Sequence, residues 1–583
     1  MKKGGSFLLE PVVGEIFTRE KFNEEQKEID KMVHDFAREK IFPHKEELGE
    51  LNKELSLKLM REASGLGLAA IDIPEKYGGM ELDKTTSVLV VEALATGQSA
   101  SWIVTFSAHV GIGTLPIVFF GTEEQKQRYL PKLASVEYLG AYALTEPGAG
   151  SDALNIKTNA RLSDDGKYYI LNGTKQYITN GGWADLFIVF TKIDRKDFTA
   201  FIVERSASGL SIETEEQKMG IKGSSTTSVI LENCQVPVEN LLGKRGEGHH
   251  IAFNILNIGR FKLGAADLGG CKSCINSASQ YAIDRKQFGQ PIAFFDAIRK
   301  KFADMVVRTY MLDSAIYRTV GMMDDRISTL NPDDADYNVE VMKALEEYAI
   351  ESSISKILGS ETLFRVSDHG IQIYGGYGFS EEYPMAIIFR DTRIDRIFEG
   401  TNEINRMVIY GYYLKKALLE ELPLRDVVKS WNEYTPTANG PFACEINALD
   451  AARRLTLKCL DQAICLYGQD LRNEQVVGED LADLIIGYYA ASSALSRILQ
   501  LGPKAHRDRA IVALARLTVA TYLEDAWRLF YRLKPILFSG HYGMRLVENF
   551  ERLRAVLELP FDPVTEVRIL TDDLYHHQHY RFE

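Results

Sequence analysis

At 583 residues, 45% hydrophobic and 26% charged, the chain is long enough to bury several cores without disulfide help. A formal charge of -13 opposes non-specific binding to a phosphate backbone, so nucleic acid is not expected as a partner. Six irregularly spaced cysteines make no disulfide framework and point to a reducing compartment.

A soft prior of about 150 residues per domain predicts about four units. The opening MKKGGSFLLEPVVGEIF has only a broken apolar run and early acidic residues, which is the pattern of neither a signal nor a transit peptide. No apolar run approaches the ~18 residues of a membrane span, and the final YRFE is no peroxisomal address. The expected location is cytoplasmic.

Residues 23–138 read as a helical domain. Asn23 with Gln26 predicts a capping box, and Ile29, Met32, Val33 and Phe36 follow at helical spacing. EKYGGMELD (75–83) is a glycine turn, and the small and apolar stretch from Ser87 to Phe120 predicts a helix pair buried on most faces.

Over 139–245 the pattern changes to strands. Asn172-Gly173, between β-rich runs, predicts a tight hairpin. ADLFIVFTKI (184–193), FTAFIVER (198–205) and TSVILENCQVPV (227–238) are further strands. Without intervening helices, the sheet is expected to be antiparallel.

Helices return over 246–430, one running to a stop at Gly289-Gln290-Pro291, one with Phe302, Met305, Val306 and Tyr310 on a face, one over 338–366, and one beginning near Glu403. Cys271 and Cys274 form a C-x-x-C with no second pair or histidines near it, so two small residues on a helix are expected and no metal. A linker is expected at 432–443, followed by a second helical domain over 443–583. The fold class is therefore mainly α with a central antiparallel β domain.

The glycine-rich segments lack both the G-x-G-x-x-G and the G-x-x-x-x-G-K-[ST] phosphate cradles. In ALTEPGAGSD (143–152), Pro147, Gly148 and Gly150 permit close approach of a flat ligand beside the hydroxyls of Thr145 and Ser151; a tight loop between strands explains them equally. In KQYITNGG (175–182), Tyr177 is placed either to pack on a ring system with Thr179 at its edge or to fill a hairpin core. Glu399 lies between Phe398 and Gly400 in IFEGTNEINR (397–406); apolar flanks disfavour a charged carboxylate, raise its pKa and suit a general base. Arg390, Asp391, Arg393, Asp395 and Arg396 are expected to form a structural ion-pair network.

Taken together, ALTEPGAGSD, KQYITNGG, KMGIKGSS (218–225), DRKQFGQPI (284–292), QIYGGYGF (372–379) and IFEGTNEI resemble, in order and spacing over about 23–415, the acyl-CoA dehydrogenase family. The resemblance implies a helical, β-barrel, helical-bundle architecture, FAD as cofactor, and an acyl-CoA as substrate. It places Leu144, Thr145, Tyr177 and Thr179 against the isoalloxazine ring and Ser151 between flavin and substrate. Arg285, Phe288, Gln372, Gly375 and Gly376 match positions that bind the diphosphate and adenosine, partly from a neighbouring subunit, which implies at least a homodimer. Thr401 and Glu403 align with further FAD contacts, and Arg260 and Gly400 with the substrate side. Tyr177 departs from the tryptophan usual at its place. Some family members carry the base just before an arginine on another helix; NIGRF (257–261) has Gly259 there, which leaves Glu399 as the base.

The resemblance further implies α-proton abstraction by Glu399, hydride loss from the β-carbon to FAD, a trans-2-enoyl-CoA product, and an electron-transfer flavoprotein as acceptor. Region 444–583 resembles the extra helical domain of the very-long-chain subgroup, whose members are membrane-associated dimers. Ser107, Ala108, Gly111 and Gly113 are small enough either to leave room for a long acyl tail or to pack helices tightly. Between Arg497 and Lys534 eight basic residues face three acidic ones, readable as a peripheral membrane contact or as a solvated helix face. His576, His577 and His579 read as a surface tail. Two rival functions remain open, an acyl-CoA oxidase and a DNA-binding flavoprotein of the same fold. Against the second, residues 431–583 carry 17 basic and 20 acidic residues.

Overall fold

The computed structural model describes residues 2–334, 336–430, 436–503, 505–538 and 559–583. Its first helix, Glu24–Phe36, opens on the expected capping box, with Asn23 and Gln26 each accepting from the other's backbone N–H. The Lys84–Ala95 helix is buried at every position, which explains why its sequence shows no polar stripe. Ala100–Phe120, 21 residues, is long and apolar enough to cross a membrane, contrary to the sequence expectation; its most apolar 18 residues have a mean hydropathy of 1.8, and 72% of them are buried inside the protein. Gly113 within it packs against the Gly140 backbone, where a β-carbon would lie 2.8 Å from the Gly140 carbonyl carbon.

The central layer contains β1 (Gly140–Ala143), β2 (Asn159–Leu162), β3 (Tyr168–Thr179), β4 (Leu186–Ile193), β5 (Asp197–Glu204), β6 (Leu210–Ile212), β7 (Thr226–Pro237) and β8 (Leu241–Leu242). They form one sheet in the order β6-β7-β3-β2-β4-β5-β8, with β1 beside β4. The sheet is mixed: β1 and β2 both run parallel to β4, and the remaining pairs are antiparallel. β4 is buried on both faces, Leu186, Ile188 and Phe190 against the helices and Phe187 and Val189 in the sheet's own core. Hence its near-continuous apolar run.

Asn172-Gly173 is not a hairpin turn. It lies inside β3 at a register shift, where Asn172 Oδ1 accepts from Asn233 N at 2.8 Å. The glycine is needed because a β-carbon there would lie 2.3 Å from Thr158 Oγ1. The turn-forming dipeptide therefore marks a bulge and a close approach, not a chain reversal.

Beyond the sheet, the helices Gly248–Asp284, Asp296–Ile327, Ala349–Tyr374 and Asn402–Leu418 build the bundle. The stretch expected as one helix over 338–366 is two, Tyr337–Glu347 and Ala349–Tyr374. Cys271 and Cys274 are buried thiols on the first of the bundle helices, and no metal-holding cluster occurs among the described residues. Part of the expected linker, 432–435, lies outside the described residues; the next helix, Ala443–Tyr467, starts at its end.

Helices Ala443–Tyr467, Gln475–Gln500, Arg509–Leu537 and Pro563–His577 form the C-terminal layer. It shares one continuous core with the bundle. Polar ties cross the junction, with Arg318 donating to Ser492 and Ser493 and Thr319 bonded to the Tyr489 hydroxyl at 2.9 Å. Several cations of 497–534 serve this internal structure: Arg497 is buried, Arg516 pairs with Glu566, and Arg532 with Asp480. Lys504 lies outside the described residues. His576, His577 and His579 are exposed.

Candidate active site

Glu399 sits in the turn between a 3-10 segment, Thr392–Arg396, and the Asn402–Leu418 helix. Its φ is +57°, a left-handed conformation, and Gly400 follows at +81°. For a glutamate this geometry is strained, and such strain persists only where the surroundings impose it. Here three side chains do so. Asn405 Nδ2 donates to the Gly400 and Thr401 carbonyls at 2.8 and 3.1 Å. Lys356 Nζ donates to the Gly400 carbonyl at 2.9 Å and to Asn402 Oδ1 at 2.6 Å. Arg260 Nε reaches the Glu399 carbonyl at 3.3 Å while its Nη1 is held by Asn257. Thr401 caps the helix that follows.

The Glu399 side chain turns into an interior cavity. Burial pushes its carboxyl up to about 7, against the opposing pull of Arg260 and Lys356. Its Oε2 has no hydrogen-bond partner. The residue is part of the cavity wall and only partly buried. A carboxylate so placed, poised near neutrality and unpartnered, is equipped to take a proton from a ligand.

The cavity runs from Glu399 and Phe398 along the Gly248–Asp284 helix, past Leu263, Ala266 and Gly270 to Ser273. Ile103, Val104, Ser107, Ala108 and Gly111 also line it, as do Ala95 and Gln98. Of the four small residues singled out in the sequence, three therefore line the cavity and Gly113 packs elsewhere. Gly259 to Ser273 is fourteen helical residues, a rise of roughly 21 Å. The lining is mostly apolar, and a cavity wall of this length suits a long flexible chain.

Thr179 lines the same cavity as Glu399. Leu144 and Thr145 lie against the same strand, β3, where the Thr145 carbonyl accepts from Gln176 N at 2.9 Å and the Leu144 carbonyl from buried Lys175 at 3.1 Å. Tyr177 is 60% exposed with a φ of +57°, at a register shift of β3. It fills no core, which removes the bland reading of that residue. Ser151 is exposed in the neighbouring loop, and β-carbons on Gly148 and Gly150 would meet nothing within 4 Å. These residues offer an open aromatic face, hydroxyls and bare backbone, the surface a flat heterocycle requires.

A second set sits at the far end of the bundle. The segment after the Gly248–Asp284 helix is a two-residue hairpin, Lys286–Gln287 paired with Gln290–Pro291, turning at Phe288 and Gly289 with φ of +51° and +83°. It leaves Phe288 95% exposed. Arg285 lies over the Tyr377 ring at 5.7 Å, beside exposed Gln372, Gly375 and Gly376. β-Carbons on either glycine would meet nothing, so the backbone is open to a diphosphate. From Gly259, beside Glu399, to Arg285 the helix rises roughly 39 Å. Glu403 is exposed at the start of its helix.

The expected ion-pair network of 390–396 does not form. Arg390 pairs with Glu381, Asp391 accepts from Ile221 N, Arg396 lies over the Phe364 ring, and Asp395 contacts Asp267. The segment wraps around the cavity, so its charges point to separate neighbours. Sequence reasoning missed Lys356, Asn405 and Asp267. Asn405 was legible as the second asparagine of TNEIN; the other two lie on distant helices and carried no local signal.

Three family models match the chain in order: the acyl-CoA dehydrogenase N-terminal domain over 23–137, the middle domain over 141–234 and the C-terminal domain over 246–412. A probable acyl-CoA dehydrogenase of Bacillus subtilis is 45% identical over 504 residues, 85% of this chain and 84% of that one. The very long-chain specific acyl-CoA dehydrogenase of Rattus norvegicus is 38% identical over 504 residues, covering 81% and 74%. A crystal structure of an acyl-CoA dehydrogenase complexed with FAD from Bacillus anthracis superposes with a TM-score of 0.95 at 41% identity, over 100% of both chains. The chain belongs to the acyl-CoA dehydrogenase family.

Proposed function

We propose that this protein dehydrogenates a saturated, long-chain acyl-CoA to its trans-2-enoyl-CoA, a step of fatty-acid β-oxidation, with Glu399 as the base. The observation that carries this reading is the unpartnered Glu399 carboxyl, near neutrality, in the wall of a mostly apolar cavity.

FAD, when bound, supplies the hydride acceptor. Leu144, Thr145, Ser151, Tyr177 and Thr179 would hold its ring. Glu399 takes the α-proton. The thioester carbonyl must be hydrogen-bonded as negative charge develops on it, since a donor so placed contributes about 10²–10³ in rate; the Glu399 backbone N–H is this chain's donor. Lys356, Asn405 and Arg260 keep the base and that N–H in one fixed geometry, sparing the reaction the cost of ordering them. The cavity walls exclude water from the acyl chain.

The distance along the bundle helix from the Glu399 end to Arg285, with Phe288, Gln372, Gly375 and Gly376 exposed beside it, supports a homodimer in which a second copy completes each FAD site. An electron-transfer flavoprotein is the proposed acceptor, and a reducing compartment, such as the cytoplasm, suits the six free cysteines. A direct test follows product and acceptor together. Enoyl-CoA formation with an acceptor dye under anaerobic conditions supports the reading, whereas hydrogen peroxide formed stoichiometrically in air would make the protein an oxidase.

A further inference from the structure

The Gly248–Asp284 helix gives the cavity a lengthwise direction. Glu399 stands beside Gly259 on that helix. Gln98, which lines the same cavity, is tied much further along it: its Nε2 donates to Ser277 Oγ at 3.2 Å. Ser277 lies eighteen residues beyond Gly259, a rise of roughly 27 Å. Gln98 therefore stands at the far end of the cavity from the base.

Gln98 belongs to the short loop, 96–99, between the Lys84–Ala95 and Ala100–Ser107 helices. Both ends of its amide are engaged, since Lys45 Nζ donates to its Oε1 at 3.2 Å while its Nε2 holds Ser277. Ser273 Oγ donates to the Thr96 carbonyl at 3.2 Å and adds a third tie between loop and helix. The loop has no room to retreat: a β-carbon on Gly97 would lie 2.7 Å from Ile41 Cγ2. Nor can the helix before it draw away without opening a close contact, because a β-carbon on Gly269 would lie 2.2 Å from the Glu92 carbonyl oxygen. Gln98 itself has a φ of +59°, a left-handed conformation strained for a glutamine and imposed by these ties. Pushing its amide aside would break two hydrogen bonds, and a hydrocarbon chain offers nothing in exchange.

An extended chain advances about 1.2 Å per backbone bond. Ser273, bonded to the loop, is roughly 21 Å from Gly259 along the helix. That length accommodates about 17 bonds beyond the α-carbon. We propose that Gln98, pinned by Lys45 and Ser277, is the end wall of the acyl cavity and limits the substrate to straight chains of about 20 carbons or fewer. This rests on the dehydrogenase reading above and specifies its substrate class. Gln98 is a specificity determinant remote from the reacting carbons.

The test compares, on the FAD-loaded protein, kcat/KM for hexadecanoyl-CoA, eicosanoyl-CoA and tetracosanoyl-CoA. The tetracosanoyl chain should fall about tenfold or more below the hexadecanoyl chain, because methylenes forced into filled space are rejected. Gln98→Gly removes the side chain and suits the left-handed backbone; it should raise the tetracosanoyl-to-hexadecanoyl ratio about tenfold, to near unity. Lys45→Met removes one tie but leaves Gln98 in place, and should raise the ratio by a smaller factor. Tetracosanoyl-CoA consumed as fast as hexadecanoyl-CoA by the unaltered protein would show that the chain leaves by another route. A ratio unmoved by Gln98→Gly would place the end wall elsewhere. Either result overturns the proposal and leaves the dehydrogenase reading intact, whereas failure of every acyl-CoA to reduce the flavin would overturn both. Should the glycine variant not fold, the ratio in Lys45→Met decides, and an unmoved one overturns the proposal.

Discussion

A β-carbon on Gly259 would lie 2.7 Å from Oε2 of Glu399 and 2.9 Å from its Cδ. The carboxyl of one residue thus occupies the space that a side chain at the other would fill. The absence of a side chain at 259 does more than leave an alternative base position empty: it makes room for the base in use.

Gly259→Ala is therefore expected to displace the carboxyl, since the atom it would meet belongs to the catalytic group. Flavin reduction should slow by about 10²-fold, the cost of a misplacement of about 1 Å, with bound FAD retained. Rapid-mixing measurements of flavin absorbance check this, and an unchanged rate would show that the carboxyl swings elsewhere to react.

With Glu399 at about 7, kcat/KM should fall with unit slope below that pH, because only the ionised carboxyl accepts a proton. Lys356 favours the charged form, so Lys356→Met should move the acid limb to higher pH and lower the plateau as the Gly400 turn loosens. A limb moving to lower pH would contradict the assigned sign.

The same shift has a stability consequence. Glu399's folded-state pKa lies above its ordinary value, so its contribution to stability is fully present below pH 4.5 and is lost as pH rises through about 7. Glu399→Gln, which cannot ionise, should leave Tm unchanged near pH 4.5 and raise it above pH 7. Thermal melts of the FAD-free protein at the two pH values measure this directly.

Arg497 is 1% exposed and bridges Glu20 at 2.8 Å, Asp313 at 3.3 Å and the Phe582 carbonyl at 3.1 Å. It joins the N-terminal segment, the bundle and the C-terminal layer. Arg497→Ala removes a buried cation, while Asp313 keeps Lys272 at 3.2 Å, so the loss of these three ties should be read as a lower Tm without loss of the flavin spectrum in the surviving fold.

What the sequence carried plainly was local. The capping box at Asn23, the strands with continuous apolar runs and the long bundle helices were legible because each signal lies within a few residues. Asn172-Gly173 misled because its glycine answers to Thr158, a neighbour in space that no window contains. The parallel pairings of β1 and β2 with β4 escaped for the same reason. At the site, the motif around Glu399 identified the carboxyl, but Lys356 and Asp267 come from helices whose faces only the packed bundle brings together. The charges of 390–396 read as partners for each other because they are adjacent in sequence, and the wrapping of that segment around the cavity separates them.

The central claim is that Glu399 takes a proton from a saturated acyl-CoA as the flavin is reduced. Anaerobic mixing of the FAD-loaded protein with a long-chain saturated acyl-CoA tests it. The flavin absorbance should bleach in the unaltered protein, and Glu399→Gln should retain bound FAD yet bleach at least about 10³-fold more slowly. Bleaching at the same rate in both would place the base elsewhere and contradict the account.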